Sequence, residues 1–68
     1  MWIQLNGEPY ESPEAVTVAQ LLDRLGIEQA RVAVEVNLTI LPKEEYAETA
    51  LKEGDRLEVV HFIGGGAS

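Results

Sequence analysis

The sequence contains no cysteine and only one histidine among its 68 residues. Disulfide bridges are therefore excluded as a source of stability, and a structural zinc site, which takes four Cys or His ligands, is not expected. A chain of this length forms one domain and buries only about 60% of the surface that its unfolded form exposes. The hydrophobic fraction of 46% has to supply the core, so we expect an ordered domain that binds no metal.

Positive charge is also scarce, because twelve acidic side chains oppose five basic ones and the formal net charge is -7. A field of this sign repels phosphate backbones, so nucleic acid is not an expected partner. The same negative field favours docking on a basic protein surface. An acidic surface can also do no more than keep a small protein soluble. No run reaches the ~20 apolar residues of a membrane-spanning helix, and no basic-then-apolar leader follows Met1. We therefore expect a cytoplasmic protein with no membrane partner.

The first eleven residues predict a β-hairpin. Residues 1–5 alternate apolar and polar side chains, and Asn6-Gly7 follows directly. This dipeptide is the strongest short hairpin signal, since both turn positions tolerate positive φ. The returning strand, Glu8 to Glu11, contains Pro9, which indicates an edge position.

One short amphipathic helix follows the first hairpin. Thr17 and Gln20 have the spacing of a capping box. Apolar residues then recur at the spacing of a core-facing stripe, and Gly26 stands where a helix-ending glycine belongs. The stripe consists of Val18, Leu21, Leu22 and Leu25.

Three more strands are expected after the helix. Val32 to Val36 predicts a strand with its valines on one face, and Thr39 to Leu41 predicts a short partner strand. The turn between them, Asn37-Leu38, is less favourable than Asn6-Gly7 because leucine disfavours positive φ. Pro42 to Tyr46 is read as an irregular or one-turn helical segment, and the last strand should run from Arg56 to Phe62 or Ile63.

The order strand, strand, helix, strand, strand, strand predicts an α+β domain. We expect a β-grasp, or ubiquitin-like, fold: a mixed sheet of four to five strands with one main helix packed on one face. The first and last strands should be parallel central neighbours. Residues 1–63 would form this domain, and residues 64–68 a flexible glycine-rich tail.

The last strand alternates between two sets of side chains. Leu57, Val59 and His61 are expected to continue the core, which leaves Val60 and Phe62 on the sheet face opposite the helix. No nucleophile or acid partner for His61 is evident, so a structural or interface role is favoured over a catalytic one.

A partner surface is expected on the face opposite the helix. Trp2 should lie on that face one strand away from Val60 and Phe62, and the three would form an exposed apolar group. The apolar run continues through Ile63, which we include in this surface. The alternative is that the register differs and these are ordinary core residues.

The glycine run Gly64-Gly65-Gly66 follows the last strand directly. Three consecutive glycines disfavour helix and strand because their backbone entropy is the largest of any residue. Such an arm could be a frayed terminus, but it also suits insertion into a narrow active site on another protein. With no candidate nucleophile, metal set or phosphate-binding loop in the sequence, an enzyme is not predicted.

These features together resemble the ThiS family, the sulfur carrier proteins of thiamine biosynthesis. The resemblance spans residues 1–66 and rests on four segments, and the stretch from Gly54 to Gly66 within the last of them is the most specific part. The four segments are Leu5-Asn6-Gly7-Glu8, Thr17-Val18-Ala19-Gln20-Leu21-Leu22, Val32-Ala33-Val34-Glu35-Val36-Asn37 and the stretch from Leu51 through Gly54 to Gly66.

The resemblance implies a chemistry for the terminal glycine. An adenylating (E1-like) enzyme uses ATP to convert the glycine carboxylate into an acyl adenylate, and sulfur from a donor enzyme such as a cysteine desulfurase displaces the adenylate. Thiazole synthase then takes the sulfur from the resulting thiocarboxylate. By position, Gly65 and Gly66 are the tail residues and Gly66 bears the reactive carbonyl, while the carrier itself binds no cofactor. Trp2, Val60 and Phe62 would then form the surface that the adenylating enzyme binds.

The sequence departs from the family pattern at Ala67-Ser68, which follow Gly66 where family members usually stop. These two residues would be an artificial remnant or would be trimmed by a peptidase; otherwise this member carries sulfur on Ser68 or carries none. Two other functions stay open: a carrier like the small subunit of molybdopterin synthase, and a β-grasp binding module that is never adenylated.

Overall fold

A computed structural model describes residues 1–62 of the chain. Its elements are β1 (Trp2–Leu5), β2 (Glu8–Glu11), α1 (Val18–Arg24), β3 (Val32–Val36), β4 (Thr39–Leu41) and β5 (Arg56–His61). The strands form one five-stranded sheet in the order β2–β1–β5–β3–β4. The predicted mixed β-grasp sheet with one main helix is therefore confirmed.

Strand β5 occupies the centre of the sheet. It pairs in parallel with β1, with Gln4 beside Arg56, and in antiparallel with β3, with Val34 beside Val59. The two hairpins, β1–β2 and β3–β4, flank this central strand. The chain segment that leads to the glycines is thus hydrogen-bonded on both sides.

Helix α1 begins at the predicted capping box. The Thr17 hydroxyl accepts a hydrogen bond from the Gln20 N–H at 3.1 Å, and the Gln20 side-chain oxygen accepts one from the Thr17 N–H at 2.9 Å. After the last helical turn Gly26 adopts a φ of 74°, as expected of a glycine that ends a helix. Within residues 1–62 no helix has the length and apolar content that crossing a bilayer requires.

The core lies between α1 and one face of the sheet. Three residues of the predicted helical stripe are fully buried, and Leu25 is half-buried. The buried apolar residues are Ile3, Val16, Val18, Leu21, Leu22, Val32, Val34, Tyr46, Leu51, Leu57 and Val59.

Tyr46 is a core residue that the sequence pattern did not predict. It follows a single turn of 3₁₀-helix, Lys43–Glu45, and is only 1% exposed. Burial raises the pKa of its phenol above the ordinary value, and a backbone hydrogen bond with Val34 offsets part of that increase.

Two asparagines in the hairpin turns bind β5 from opposite sides. The Asn6 side chain accepts a hydrogen bond from the Val59 N–H at 2.7 Å and donates one to the Val59 carbonyl at 3.3 Å. The Asn37 side-chain oxygen accepts a hydrogen bond from the Arg56 N–H at 3.0 Å. Both asparagines have φ values of 52°, which asparagine tolerates better than most residues. Each asparagine therefore forms part of a hairpin turn, and its side chain also binds β5 beyond the last paired residues of the neighbouring β-ladder.

Candidate functional site: the end of β5 and the outer face of the sheet

The end of β5 is the point from which the chain continues to the glycines. The strand ends at His61, and the Phe62 N–H still donates a hydrogen bond to the Arg31 carbonyl at 2.9 Å. Ile63 and the tail residues Gly64, Gly65 and Gly66 lie outside the described residues, as do Ala67 and Ser68. Their predicted roles therefore stay predictions, while the last anchored position before them is Phe62.

The outer face of the sheet, opposite α1, carries the exposed apolar side chains that the alternation predicted. Trp2 is 52% exposed, Val60 is 56% exposed and Phe62 is 61% exposed. None of them belongs to the core, so the register that would have buried them is ruled out. Their role as a partner surface stays a prediction.

The strand register separates Trp2 from the other two residues. The parallel pairing sets Gln4 beside Arg56, and the Gly54 N–H donates to the Trp2 carbonyl at 2.8 Å. Val60 therefore lies six residues farther along the strand direction than Trp2, which at about 3.3 Å per residue is about 20 Å. The prediction that Trp2, Val60 and Phe62 form one group is wrong, because Trp2 lies at the opposite end of the sheet.

Other apolar residues take the place of Trp2 beside Val60. The β3–β5 register sets Ala33 opposite Val60, and β4 adds Ile40, which is 71% exposed. We call Ile40, Ala33, Val60 and Phe62 the exit patch. Ile40 was not among the residues predicted for the partner surface. The alternation around it, with the half-buried Leu41 opposite the buried Val34, does indicate that Ile40 faces outward.

Two glutamates border the exit patch on the outer face. Glu35 lies directly opposite Glu58 in the β3–β5 ladder and opposite Ile40 in the β3–β4 ladder. Like charges directly opposite each other destabilise a sheet, and within residues 1–62 neither glutamate forms an ion pair. Arg56 precedes Glu58 by two residues on the same face. These three side chains carry two negative charges and one positive charge, so this part of the outer face has a net charge of the same sign as the whole chain.

The only ion pair between the described residues lies near the end of β5. Arg31 and Glu28 approach to 2.7 Å, and both side chains are exposed. Exposed pairs of this kind contribute about 0–1 kcal/mol, so this contact does little for stability. The Arg31 side chain also lies near His61, at the end of β5.

His61 is exposed, contrary to the expectation that it continues the core. The alternation does set it in line with Leu57 and Val59, but it lies beyond the part of the sheet that α1 covers. It borders a shallow depression of about 330 Å³ together with Ile27 and Arg31. A larger depression of about 590 Å³ lies beside α1 and is bordered by Ala19, Gln20 and Asp23.

Neither depression presents a recognisable catalytic arrangement. No nucleophile accompanies His61, and within residues 1–62 no group of three or more His, Asp or Glu side chains could hold a metal ion. Within residues 1–62 the features at this end of the sheet are the exposed exit patch and the backbone hydrogen bond that anchors Phe62.

Comparisons with known proteins agree with this description. The family model of ThiS matches residues 3–66. The sulfur carrier protein ThiS of Bacillus subtilis is 40% identical over 94% of this chain and 98% of its own length. The crystal structure of a thiamine biosynthesis protein (ThiS) from Geobacter metallireducens superposes with a TM-score of 0.83 at 38% identity, covering 97% of this chain and 100% of that one.

A longer relative also contains a similar segment. A thiazole synthase of Paramagnetospirillum magneticum is 48% identical over 98% of this chain, but the match covers 21% of that protein. The chain thus spans about a fifth of the length of this relative. Taken with the match over residues 3–66 and the near-complete coverage of the shorter relatives, these findings show that the chain belongs to the ThiS family.

Proposed function

We propose that the chain is a sulfur carrier protein of thiamine biosynthesis that is adenylated and then thiocarboxylated on the carboxyl group of Gly66. It acts as a protein co-substrate for other enzymes and has no catalytic activity of its own. The observation that carries this proposal is the family match, which spans residues 3–66 and so includes both the β-grasp domain and the glycine run.

The proposed chemistry explains why the carrier needs no catalytic side chains. A carboxylate is a poor electrophile, but transfer of the AMP group from ATP, with release of pyrophosphate, gives its carbonyl carbon a good leaving group. The outer sulfur of a donor persulfide then forms the C–S bond as the C–O bond to AMP breaks. A thiol supplies the two electrons that cleave the resulting acyl disulfide to the thiocarboxylate, whereas free sulfide would give the thiocarboxylate directly. Both steps take place in the pocket of a partner, which supplies the proximity and orientation.

The proposed partners are an adenylating (E1-like) enzyme that uses ATP, a sulfur-donor enzyme such as a cysteine desulfurase, and thiazole synthase. The similarity to a segment of a thiazole synthase supports the last of these. A docking surface formed by the exit patch and its border of Glu35 and Glu58 fits a partner with an apolar and basic face. The proposed compartment is the cytoplasm, which supplies the ATP that the adenylation consumes.

The test compares three forms of the chain: residues 1–68, residues 1–66 and residues 1–65. Each is incubated with the adenylating enzyme, ATP and a sulfur donor, and its intact mass is measured. We expect the form ending at Gly66 to gain the mass of an oxygen-to-sulfur exchange. The form ending at Gly65 is the matched control, since it keeps a C-terminal glycine one position too early.

The full-length form distinguishes the possible roles of Ala67-Ser68. In it the Gly66 carbonyl belongs to a peptide bond, so we expect no thiocarboxylate unless a peptidase first removes the two residues. A mass gain located on Ser68 would contradict the assignment to Gly66. If none of the forms gains sulfur while B. subtilis ThiS does under the same conditions, the carrier function is wrong and a β-grasp binding module replaces it.

The enzyme that receives sulfur from the charged carrier distinguishes thiamine biosynthesis from molybdopterin synthesis. Labelled sulfur on the charged carrier should pass to the product of thiazole synthase. Transfer to a molybdopterin precursor instead would favour a carrier like the small subunit of molybdopterin synthase.

A further inference from the structure

Lys43 makes an unusual set of contacts at the end of β5. Its ammonium group donates a hydrogen bond to the Val32 carbonyl at 2.6 Å. The same nitrogen lies 5.2 Å from the centre of the Phe62 ring and 5.8 Å from the centre of the Tyr46 ring. One charged group therefore joins the start of β3, the core and the last anchored residue before the glycines.

The hydrogen bond follows from where β4 ends. The Phe62 N–H donates to the Arg31 carbonyl, and backbone groups alternate in direction along a strand, so the Val32 carbonyl points away from β5. On that side β4 pairs only with residues 34–36 of β3 and stops at Leu41. The Lys43 ammonium supplies the donor that a longer β4 would have supplied through its backbone.

The contact with Phe62 is of a different kind. A cation over an aromatic face is attracted by the negative charge of the ring, and the separation of 5.2 Å is within the range of that attraction. Phe62 is 61% exposed and lies beyond the last residue of β5, so its described attachments are its backbone bond to Arg31 and this contact. Lys43, held by Val32, restricts where the Phe62 ring lies.

We propose that Lys43 is a positioning residue for the transfer reaction: it holds Phe62 against the domain and so sets the position from which the chain continues to Gly66. This inference rests on the proposed function of Gly66. It assigns Lys43 no chemical step, because the ammonium group is bound to the Val32 carbonyl and to the ring. Its effect is on how often the glycine carboxyl reaches the partner's reactive centre.

The test replaces Lys43 by methionine, which keeps most of the apolar stem and removes the charge. Lys43→Arg is the conservative variant, since a guanidinium can bind a carbonyl and stack on a ring. Lys52→Met is the matched control: it makes the same change in net charge at an exposed lysine whose described hydrogen bonds are all made by its backbone. Each is made in the form, full-length or ending at Gly66, that the mass experiment shows to be charged.

We expect Lys43→Met to lower kcat for thiocarboxylation about three- to tenfold, with KM for the carrier changed less than twofold. Lys43→Arg should restore most of kcat, and Lys52→Met should match the unaltered protein. In NMR spectra of the full chain, nuclear Overhauser contacts between Phe62 and residue 43 should weaken in Lys43→Met while the core signals stay unchanged.

Several outcomes would overturn the proposal. Equal kcat in Lys43→Met and Lys52→Met would show that the contact has no role in transfer. A rise in KM with an unchanged kcat would make Lys43 a docking residue, and a fall in kcat that follows loss of folded protein would make it merely structural. If no form of the unaltered chain is charged, the proposed function fails first and this inference fails with it.

Discussion

The Asn6 side chain offers a sharp test of how β5 is held. It bonds both the N–H and the carbonyl of Val59, at 2.7 and 3.3 Å, beyond the end of the β1–β5 ladder. A typical intramolecular hydrogen bond contributes about 0.5–1.5 kcal/mol, so loss of the two should cost about 1–3 kcal/mol. Asn6→Gly removes both bonds without backbone strain, since glycine adopts the observed φ of 52° freely.

The alanine variant should be worse than the glycine variant. Alanine loses the same hydrogen bonds and also adopts a left-handed conformation, which costs an L-residue about 1–2 kcal/mol. We therefore expect Asn6→Ala to lower the free energy of unfolding by about 2–5 kcal/mol. A domain of this size is stable by only about 3–10 kcal/mol in total, so Asn6→Gly serves as the measurable variant if Asn6→Ala does not fold.

Urea denaturation gives the free energies, and hydrogen exchange locates the effect. In Asn6→Gly the Val59 amide should exchange faster, while the Arg56 amide, which Asn37 holds on the other side of β5, should be less affected. Asn37→Gly is the matched control and should reverse the pattern. An Asn6→Gly protein within about 0.5 kcal/mol of the unaltered one, with unchanged Val59 exchange, would refute the argument.

Two further predictions concern backbone strain and alkaline pH. Leu38 has a φ of 71° and is 74% exposed, so Leu38→Gly should raise the free energy of unfolding by about 0.5–1 kcal/mol in urea titrations; a lower value would mean that its side chain packs usefully. Burial raises the pKa of the Tyr46 phenol above 10.0, so the folded state favours the protonated form. This contribution to stability is fully present below about pH 10 and is lost as pH rises through the raised pKa. Urea unfolding between about pH 8 and 11 should show the loss, and Tyr46→Phe should remove that part of the pH dependence.

Local patterns in the sequence predict the elements of this fold well. The Asn6-Gly7 turn and the capping box of Thr17 and Gln20 are each determined by a few adjacent residues. Both are present in the structure. The faces of the strands are equally predictable, because side chains alternate with a period of two. For this reason Val60 and Phe62 could be assigned to the outer face.

Position along the sheet is not predictable in the same way. A shift of two residues between β1 and β5 leaves every side chain on its face but moves it by about 7 Å, so alternation cannot distinguish the possible registers. The separation of about 20 Å between Trp2 and Val60 follows from a pairing of residues more than fifty positions apart. The exposure of His61 likewise depends on how far along the sheet α1 packs. That extent is set by tertiary packing and not by the local sequence.

The Lys43 contact also depends on tertiary structure and is not predictable from the local sequence. A lysine after Pro42 in an acidic chain looks like an ordinary solvated residue, and its role depends on β4 being shorter than β3. Burial of Tyr46 has a similar origin, because the 3₁₀ turn of Lys43–Glu45 directs it into a core whose other members are supplied by distant segments.

The register also constrains how a partner can use the proposed site. Gly66 is the fourth residue after Phe62. An extended chain spans at most about 3.5 Å per residue, so Gly66 can lie no more than about 14 Å from Phe62. A partner that receives this group has to bind close to the exit patch, where Val60 and Ile40 are exposed. Trp2 lies about 20 Å from Val60 in the opposite direction, so a contact there requires a partner that covers the length of the sheet. Substitutions at Val60 should therefore impair every partner that handles Gly66, whereas substitutions at Trp2 should impair only those with an extended interface.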